Sequence, residues 1–328
     1  MHAFNSIQFS AVFRWMLMFA VLTVPHVVQA QWRATVGAQS DNLGRQALAF
    51  LPNEIWIHAG DNITWKFDVD EIHTVTFLTA GQTRPSRLVG CPGFTLGGSA
   101  TFDGSTCVTT ASLVKGQTFT VTFPIAGNYK LVCLVHGNMT GVVHVLDLSQ
   151  PLPHDQEFYD EQAEERADAL LSDTDHDGDH ERHDSDDPAV TAGTGEVSAT
   201  AGGSETLSVM RFKRPVTVIH AGETVEWTNS DPVTPHTITF GVEPANPIPP
   251  SGNVTVDADG ARHAVINSPS DSVHSGFIVA APQERIGLPQ APPGFTRFRI
   301  TFTHAGVFLY ICALHDGLGM RGSVIVLP

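Results

Sequence analysis

Two similar stretches decide the fold: residues 129–139 read YKLVCLVHGNM, and residues 308–320 read FLYICALHDGLGM. Each begins as an apolar, β-branched run that predicts a strand, and each run ends in a cysteine. A histidine follows three residues after the cysteine, and a methionine follows soon after the histidine. A strand that ends at the cysteine and turns into a tight loop would bring these three side chains toward one point.

The side chains in these loops predict metal binding. Thiolate, imidazole and thioether are soft or borderline ligands that together suit copper better than calcium or magnesium. Each half of the chain also carries an upstream histidine in a matching context, IHTVTF or PHTITF. A buried cysteine or histidine is often structural, but that explanation would have to hold twice, in the same order. We therefore predict two sites, formed by His73, Cys133, His136 and Met139, and by His236, Cys312, His315 and Met320.

The sequence around these sites predicts a duplicated, all-β fold. Short alternating segments separated by turn signals are typical of a Greek-key sandwich or barrel. In the first half they lie at residues 32–36, 54–58, 62–67, 73–78, 118–123, 128–135 and 141–146. From residue 205 the first half repeats: 217–227 matches 56–65, 236–240 matches 73–77, 298–302 matches 119–123, and 320–327 matches 139–146. A repeat of this length indicates two copies of one domain.

An acidic segment separates the two copies. The net charge is −16, and residues 154–187 account for −13 of it, so the predicted domains are nearly neutral. No basic patch favours a nucleic-acid partner. Residues 155–171 predict a helix, and residues 188–204, rich in Ala, Gly, Thr and Ser, predict a tether. The segment between them is a solvated linker, a calcium loop or a loose transition-metal site, with candidate ligands Asp173, Asp175, Asp177, His176, His180 and His183.

The first 30 residues are typical of a secretory signal. One charged residue, Arg14, precedes the apolar run 15–24, and Val-Gln-Ala at 28–30 fits a cleavage site. The run is short for a transmembrane helix, and an uncleaved anchor is the alternative. We expect a periplasmic or secreted protein with no stable membrane insertion after signal removal.

In such a compartment Cys91 and Cys107, at the ends of a Gly- and Ser-rich loop, predict a disulfide, with a second metal site as the alternative.

Both halves resemble cupredoxins, the plastocyanin, amicyanin and pseudoazurin group of blue-copper proteins, on the His and Cys-His-Met motifs quoted above. The loop at 133–139 resembles that of amicyanin, and the loop at 312–320 resembles that of plastocyanin and pseudoazurin. The resemblance implies two Greek-key β-sandwich domains, each with a type 1 copper held by the four residues named for that site. It covers 32–147 and 205–328 and predicts this division: signal 1–30, domain 1 31–150, acidic linker 151–204 and domain 2 205–328.

The resemblance implies an electron carrier rather than an enzyme, with a redox protein as donor and another as acceptor. Multicopper oxidases and copper nitrite reductases also contain cupredoxin domains, and there a histidine beside the type 1 cysteine leads to a catalytic copper. Here Val132 and Leu134 flank Cys133, and Ile311 and Ala313 flank Cys312. A catalytic copper between subunits remains an alternative, as does copper storage or delivery. For the carrier we expect electrons to pass through the solvent-facing edges of His136 and His315.

Overall fold

The computed structural model describes residues 29–85, 91–172, 188–280 and 296–328. The described chain forms two β-sandwich bodies and one α-helix, which confirms the predicted all-β fold. The proposed linker ligands at 173–187 and most of the predicted signal lie outside the described residues. No helix in the described ranges is both long and apolar enough to cross a membrane.

Domain 1 packs two sheets around an aromatic core. Its strands are β1 (Gln31–Gln39), β2 (Arg45–Leu51), β3 (Glu54–His58), β4 (Asn62–Phe67), β5 (Thr76–Phe77), β6 (Gly93–Thr95), β7 (Gly98–Thr101), β8 (Val108–Thr110), β9 (Thr118–Thr122), β10 (Gly127–Val132) and β11 (Thr140–Leu146). One sheet has the order β2-β1-β4-β9-β7, and the other has the order β3-β11-β10-β5-β8-β6. Alternating residues such as Trp65, Phe77 and Phe123 fill the space between them.

Helix α1 (Gln156–Ser172) follows domain 1 and lies against it, as predicted for residues 155–171. Leu170 packs on Ala47, Ala49 and Leu51 of β2. The helix thereby covers the outer face of β2, and nearly every residue of that strand is buried. The sequence pattern missed β2 for this reason, because a strand buried on both faces does not alternate.

Domain 2 repeats the architecture of domain 1. Its strands are β12 (Ala189–Ala199), β13 (Ser204–Lys213), β14 (Val216–His220), β15 (Thr224–Ser230), β16 (Thr239–Phe240), β17 (Thr255–Val256), β18 (Arg262–Ile266), β19 (Val273–His274), β20 (Arg297–Phe302), β21 (Gly306–Ile311) and β22 (Arg321–Leu327). One sheet has the order β13-β12-β15-β20-β18-β17, and the other has the order β14-β22-β21-β16-β19. The prediction that residues 188–204 form a tether is wrong for β12, which pairs with β13 and β15 as β1 pairs with β2 and β4.

The two domains are joined by backbone pairing. Strand β2 of domain 1 runs antiparallel to β13 of domain 2, with Thr206 opposite Leu48 and Val209 opposite Arg45. One sheet of each domain is therefore continuous with that of the other. Val233 of domain 2 also packs into the core of domain 1. Burying a side chain of this size contributes about 1.5–3 kcal/mol, so the contact favours one fixed arrangement of the domains.

The disulfide prediction is confirmed, because Cys91 and Cys107 are bonded. Cys107 is buried beside Leu78, Val132 and Leu134, so the bond anchors the loop against the strand that leads to Cys133. Cys133 and Cys312 are both free and buried.

Candidate metal centres

The upstream histidine of each site is held by an isolated pair of backbone hydrogen bonds. The N–H of His73 donates to the carbonyl of Leu113 at 3.0 Å, and the N–H of Leu113 donates to the carbonyl of His73 at 2.8 Å. In domain 2 His236 and Ile278 make the same exchange at 3.0 and 2.9 Å. This bridge fixes the histidine backbone just before β5 or β16, and the predicted strand 73–78 is accordingly shortened to Thr76–Phe77.

The downstream ligands lie on a loop closed at its base. The N–H of Cys133 donates to the carbonyl of Met139 at 3.0 Å, and the N–H of Cys312 donates to that of Met320 at 3.1 Å. Each methionine is thus held beside its cysteine, although the two loops differ in length. The loop of site 2 also has internal turns, including a hydrogen bond from the N–H of Met320 to the carbonyl of His315.

Three ligand atoms converge in each site with closely similar geometry. In site 1 the Nδ1 atoms of His73 and His136 lie 3.1 Å apart, and each lies 3.8 Å from Cys133 Sγ. In site 2 the corresponding Nδ1 atoms lie 3.1 Å apart, at 3.8 and 3.4 Å from Cys312 Sγ. Atoms that each lie roughly 2 Å from one shared ion would be separated by about 3–4 Å.

The donor set and its burial fit a copper ion. All eight predicted ligands are buried, and six of them, the upstream histidines, the cysteines and the methionines, are fully inaccessible. Soft sulfur with two imidazoles is the ligand combination of trigonal copper sites with a weak axial methionine. Within the described residues, His, Cys, Asp and Glu side chains come close enough to share an ion in two groups, which are these two His-Cys-His sets.

The threonine after each upstream histidine supports the sulfur. The N–H of Thr74 points to Cys133 Sγ at 3.4 Å, and the N–H of Thr237 points to Cys312 Sγ at 3.3 Å. The same threonines accept hydrogen bonds through Oγ1 from Leu134 N and Ala313 N, both at 2.7 Å. Such contacts orient the sulfur and moderate its charge. The sequence signal for these contacts is the His-Thr pair, which occurs at 73–74 and again at 236–237.

Both cysteines are poised as thiolates. Burial alone would raise the pKa of Cys133, but hydrogen bonds from His136 and His73 hold that pKa well below its usual range. The pKa of Cys312 is also held well below its usual range, because the nearby charge of His315 and a hydrogen bond from His236 outweigh burial. The thiolate is the form that binds a metal, so each pocket favours the ligand in its binding state.

An arginine supports the loop of site 1. Arg84 donates hydrogen bonds to the carbonyls of Cys133, His136 and Gly137, at 2.8 Å for His136 and 2.6 Å for Gly137. In site 2, Arg211 donates at 2.7 Å to the carbonyl of Leu318. Its other terminal nitrogen also reaches the carbonyl of Asn42 in domain 1, at 2.5 Å, so the loop of site 2 is tied to the neighbouring domain.

A buried aspartate and a glycine distinguish site 2. Asp231 Oδ2 lies 3.9 Å from His236 Nε2, and both side chains are fully buried. Burial lowers the pKa of His236, but Asp231 and Cys312 raise it overall to about 9. Gly193, with φ +75°, lies so close that an added Cβ would be 2.0 Å from His236 Nε2. In the part of the chain that the structure describes, no acidic side chain forms a comparable pair with His73, and burial lowers the pKa of that histidine.

Glu71 lies between the two sites. Its Oε1 is 3.3 Å from His136 Nε2, and its Oε2 is 3.6 Å from His315 Nε2. Burial would raise the pKa of Glu71, but the hydrogen bond from His136 and the proximity of His315 lower it to about 2. Burial would lower the pKa of His136, but Cys133 and Glu71 raise it overall to about 9.

The prediction that His136 and His315 present edges to solvent is wrong. These residues are 2% and 3% exposed, because the joined domains bring the two histidines to opposite sides of Glu71. Sequence reasoning also missed Glu71, Asp231 and Arg84. The sequence does contain a signal for Glu71. This residue lies two positions before His73, whereas the other copy has Thr234 two positions before His236, so the charge is specific to domain 1. No local pattern marked Arg84, which reaches the loop across 49 to 53 residues of chain.

Comparison with known proteins agrees with this geometry. A family model described as "Copper binding proteins, plastocyanin/azurin family" matches residues 38–146 and again 197–327. The plastocyanin of Synechococcus sp. (strain JA-2-3B'a(2-13)) is 28% identical over 115 residues, which are 35% of this chain and 62% of the relative. The chain thus spans less than two thirds of that relative's length.

The chain is also similar, at low sequence identity, to solved structures of a plastocyanin and an amicyanin. The oxidised plastocyanin of Dryopteris crassirhizoma is 18% identical, with 42% of this chain and 99% of that chain covered and a TM-score of 0.22. The amicyanin of Paracoccus versutus is 22% identical, with 44% and 83% covered and a TM-score of 0.23. The family assignment depends on the family model, which matches the greater part of the sequence in two separate copies. The chain belongs to the copper-binding plastocyanin/azurin family and contains two of its His-Cys-His sites.

Proposed function

We propose that the protein is an exported electron-transfer protein with one type 1 copper in each domain. The ligands are His73, Cys133, His136 and Met139 in site 1, and His236, Cys312, His315 and Met320 in site 2. The observation that carries this proposal is the pair of buried His-Cys-His clusters with matching ligand distances. Copper would supply the one-electron redox chemistry, and the protein's own residues hold the ligands in place.

The surroundings of the ligands suit rapid electron transfer. Each upstream histidine is held by a backbone bridge, each cysteine by a hydrogen bond to its methionine carbonyl, and each sulfur by a threonine N–H. A site fixed by this many contacts changes little in geometry when its charge changes. The apolar surroundings, including Val143 in domain 1 and Val324 in domain 2, exclude water from the ligands.

Location and partners are part of the same proposal. The secretory pattern of residues 1–30 and the disulfide between Cys91 and Cys107 both favour an oxidising compartment, the periplasm or the extracellular space. The resemblance to blue-copper carriers supports a redox protein as donor and another as acceptor.

Copper content and spectra test this function. We expect two coppers per mature chain, both of the blue type in visible and paramagnetic resonance spectra. Cys133→Ser should remove one blue band and leave the other, and Cys312→Ser should do the reverse. Retention of both bands in either variant would contradict the ligand assignment. More than two coppers, with an added non-blue signal, would instead support an oxidase or a reductase with a catalytic copper between subunits.

A further inference from the structure

Glu71 contacts one histidine of each metal centre. Its two carboxylate oxygens are divided between the domains, with Oε1 3.3 Å from His136 Nε2 and Oε2 3.6 Å from His315 Nε2. We propose that Glu71 is a bridging residue that couples the two copper sites and provides the route for electron exchange between them. This inference rests on the proposed electron-transfer function and adds a path inside the molecule.

The orientation of the two imidazole rings supports a bridge. In each ring Nδ1 faces the cysteine, so Nε2 is the atom turned toward Glu71. When Nδ1 is committed to a metal, the remaining proton of the neutral ring lies on Nε2, which then acts as a donor. A carboxylate only accepts hydrogen bonds and has two oxygens, so Glu71 is able to accept from a donor on each side.

The burial of Glu71 is consistent with a role that needs both domains. The residue is 7% exposed, and a buried carboxylate is costly unless it is paired. Its two carboxylate oxygens lie against the two histidine rings, and one of these rings belongs to the other domain. The corresponding residue of domain 2 is Thr234, so the repeat does not supply a second carboxylate at that position.

The exchange itself requires no other reactant. One site loses an electron and is oxidised, and the other site gains that electron and is reduced. No bond is broken and no proton leaves the bridge. The buried edges of His136 and His315 face Glu71 rather than solvent, so they are placed for exchange with each other.

The variant Glu71→Gln tests the bridge because it replaces one of the two acceptor oxygens with an NH2 group, which cannot accept a hydrogen bond from the facing histidine. Less than one electron per chain is delivered by pulse reduction to the oxidised protein. The absorbance of the two blue bands then reports how the electron is redistributed between the sites. The variants Cys133→Ser and Cys312→Ser assign each band to its site. We expect the exchange rate to fall about 10- to 100-fold. Asp70→Asn is the matched control, since this neighbouring exposed carboxylate pairs with Gln39 and should leave the rate unchanged.

A further readout does not depend on electron transfer. In the diamagnetic Cu(I) protein, the Nε2–H protons of His136 and His315 should both give slowly exchanging, downfield NMR signals. Glu71→Gln should remove or shift at least one of them, and Asp70→Asn should change neither. If Glu71→Gln does not bind two coppers, Glu71→Asp replaces it, because the shorter side chain keeps the charge but cannot span both rings.

Separate outcomes overturn the bridge and the proposed function. The bridge is wrong if the Gln or Asp variant keeps the parental exchange rate and both Nε2–H signals. It is also wrong if Asp70→Asn slows the exchange as much as Glu71→Gln does, because the effect would then not be specific to Glu71. In those cases both blue bands persist and the proposed carrier function stands. Absence of blue bands from the parent protein would instead overturn the proposed function.

Discussion

Sites 1 and 2 have the same ligand residues and nearly the same distances, yet different residues hold them in place. In site 1 the ligand loop is supported by Arg84, whereas in site 2 Arg211 binds the loop. In site 2 the upstream histidine is confined by Asp231 and Gly193. The ligand set is therefore reproduced by the repeat, whereas the residues behind the ligands are specific to each copy. This contrast predicts that matched substitutions in the two domains will have unequal effects.

Gly193→Ala should produce the largest difference between the sites. Its Cβ would lie 2.0 Å from His236 Nε2, so the histidine would have to leave its position. Gly37 is the matched control, since its φ of +72° is close to the +75° of Gly193 but its added Cβ would meet Val69. A non-glycine residue in this conformation costs about 1–2 kcal/mol, so both variants should lose stability.

The measurement for this pair is copper content together with the visible spectrum. We expect Gly193→Ala to bind one copper and to lose the blue band that Cys312→Ser also removes. Gly37→Ala should keep two coppers at a lower unfolding temperature. Equal retention of copper in both variants would show that Gly193 does not confine His236.

Asp231→Asn should have an intermediate effect confined to site 2. The amide oxygen can keep the hydrogen bonds that Oδ1 accepts from Val233 N and Thr234 N, at 2.8 and 2.7 Å. The change therefore removes mainly the negative charge beside His236. We expect copper affinity at site 2 to fall about tenfold, and the reduction potential to rise because oxidised copper loses a neighbouring anion.

Asp68→Asn is the control in domain 1, at the corresponding position of the repeat. Its carboxylate pairs with Lys66 at 3.3 Å and is 43% exposed. Copper titration and a redox titration of each band should show no change at site 1. A shift of similar size in both domains would mean that the charge acts over a long range rather than on His236.

The smallest expected effect concerns the outer surface of domain 2. Where domain 1 pairs Thr64 with Thr120, domain 2 pairs Glu226 with Arg299, and Arg299 also contacts Asp259 at 2.8 Å. The hydrogen bond from Arg299 helps lower the pKa of Asp259 to about 2 from 3.8. The contribution of Asp259 is thus fully present above pH 3.8 and is lost as the pH falls through about 2.

Thermal unfolding of Asp259→Asn tests this surface pair. We expect the unfolding temperature at pH 7 to fall by less than about 4 °C, because exposed ion pairs stabilise proteins weakly. The difference from the parent should disappear near pH 2 and shrink in high salt. A difference that persisted at pH 2 would indicate a cause other than the carboxylate charge.

The sequence predicted most of the first domain, and its errors follow from contacts between distant segments. Strands β3 and β4 were predicted at their observed limits, because one face of each is buried and the residues alternate. Strand β2 was missed because α1 covers its outer face. The tether prediction fails for β12 because its small and polar residues do not follow a strand pattern, although backbone pairing with β13 and β15 holds the segment in the sheet.

The sequence by itself determined the all-β fold, its duplication and the clustered His and Cys residues. Ligand chemistry depends on residue type and on short spacings along the chain, and both occur once in each half of this sequence. The tertiary structure alone decided what faces the ligands from outside: Arg84 on one loop, Asp231 behind one histidine, and Glu71 between His136 and His315. The contact between Glu71 and His315 depends on how β2 meets β13 and on where Val233 packs. Backbone pairing and many weak contacts set that arrangement, and neither has a local sequence signature.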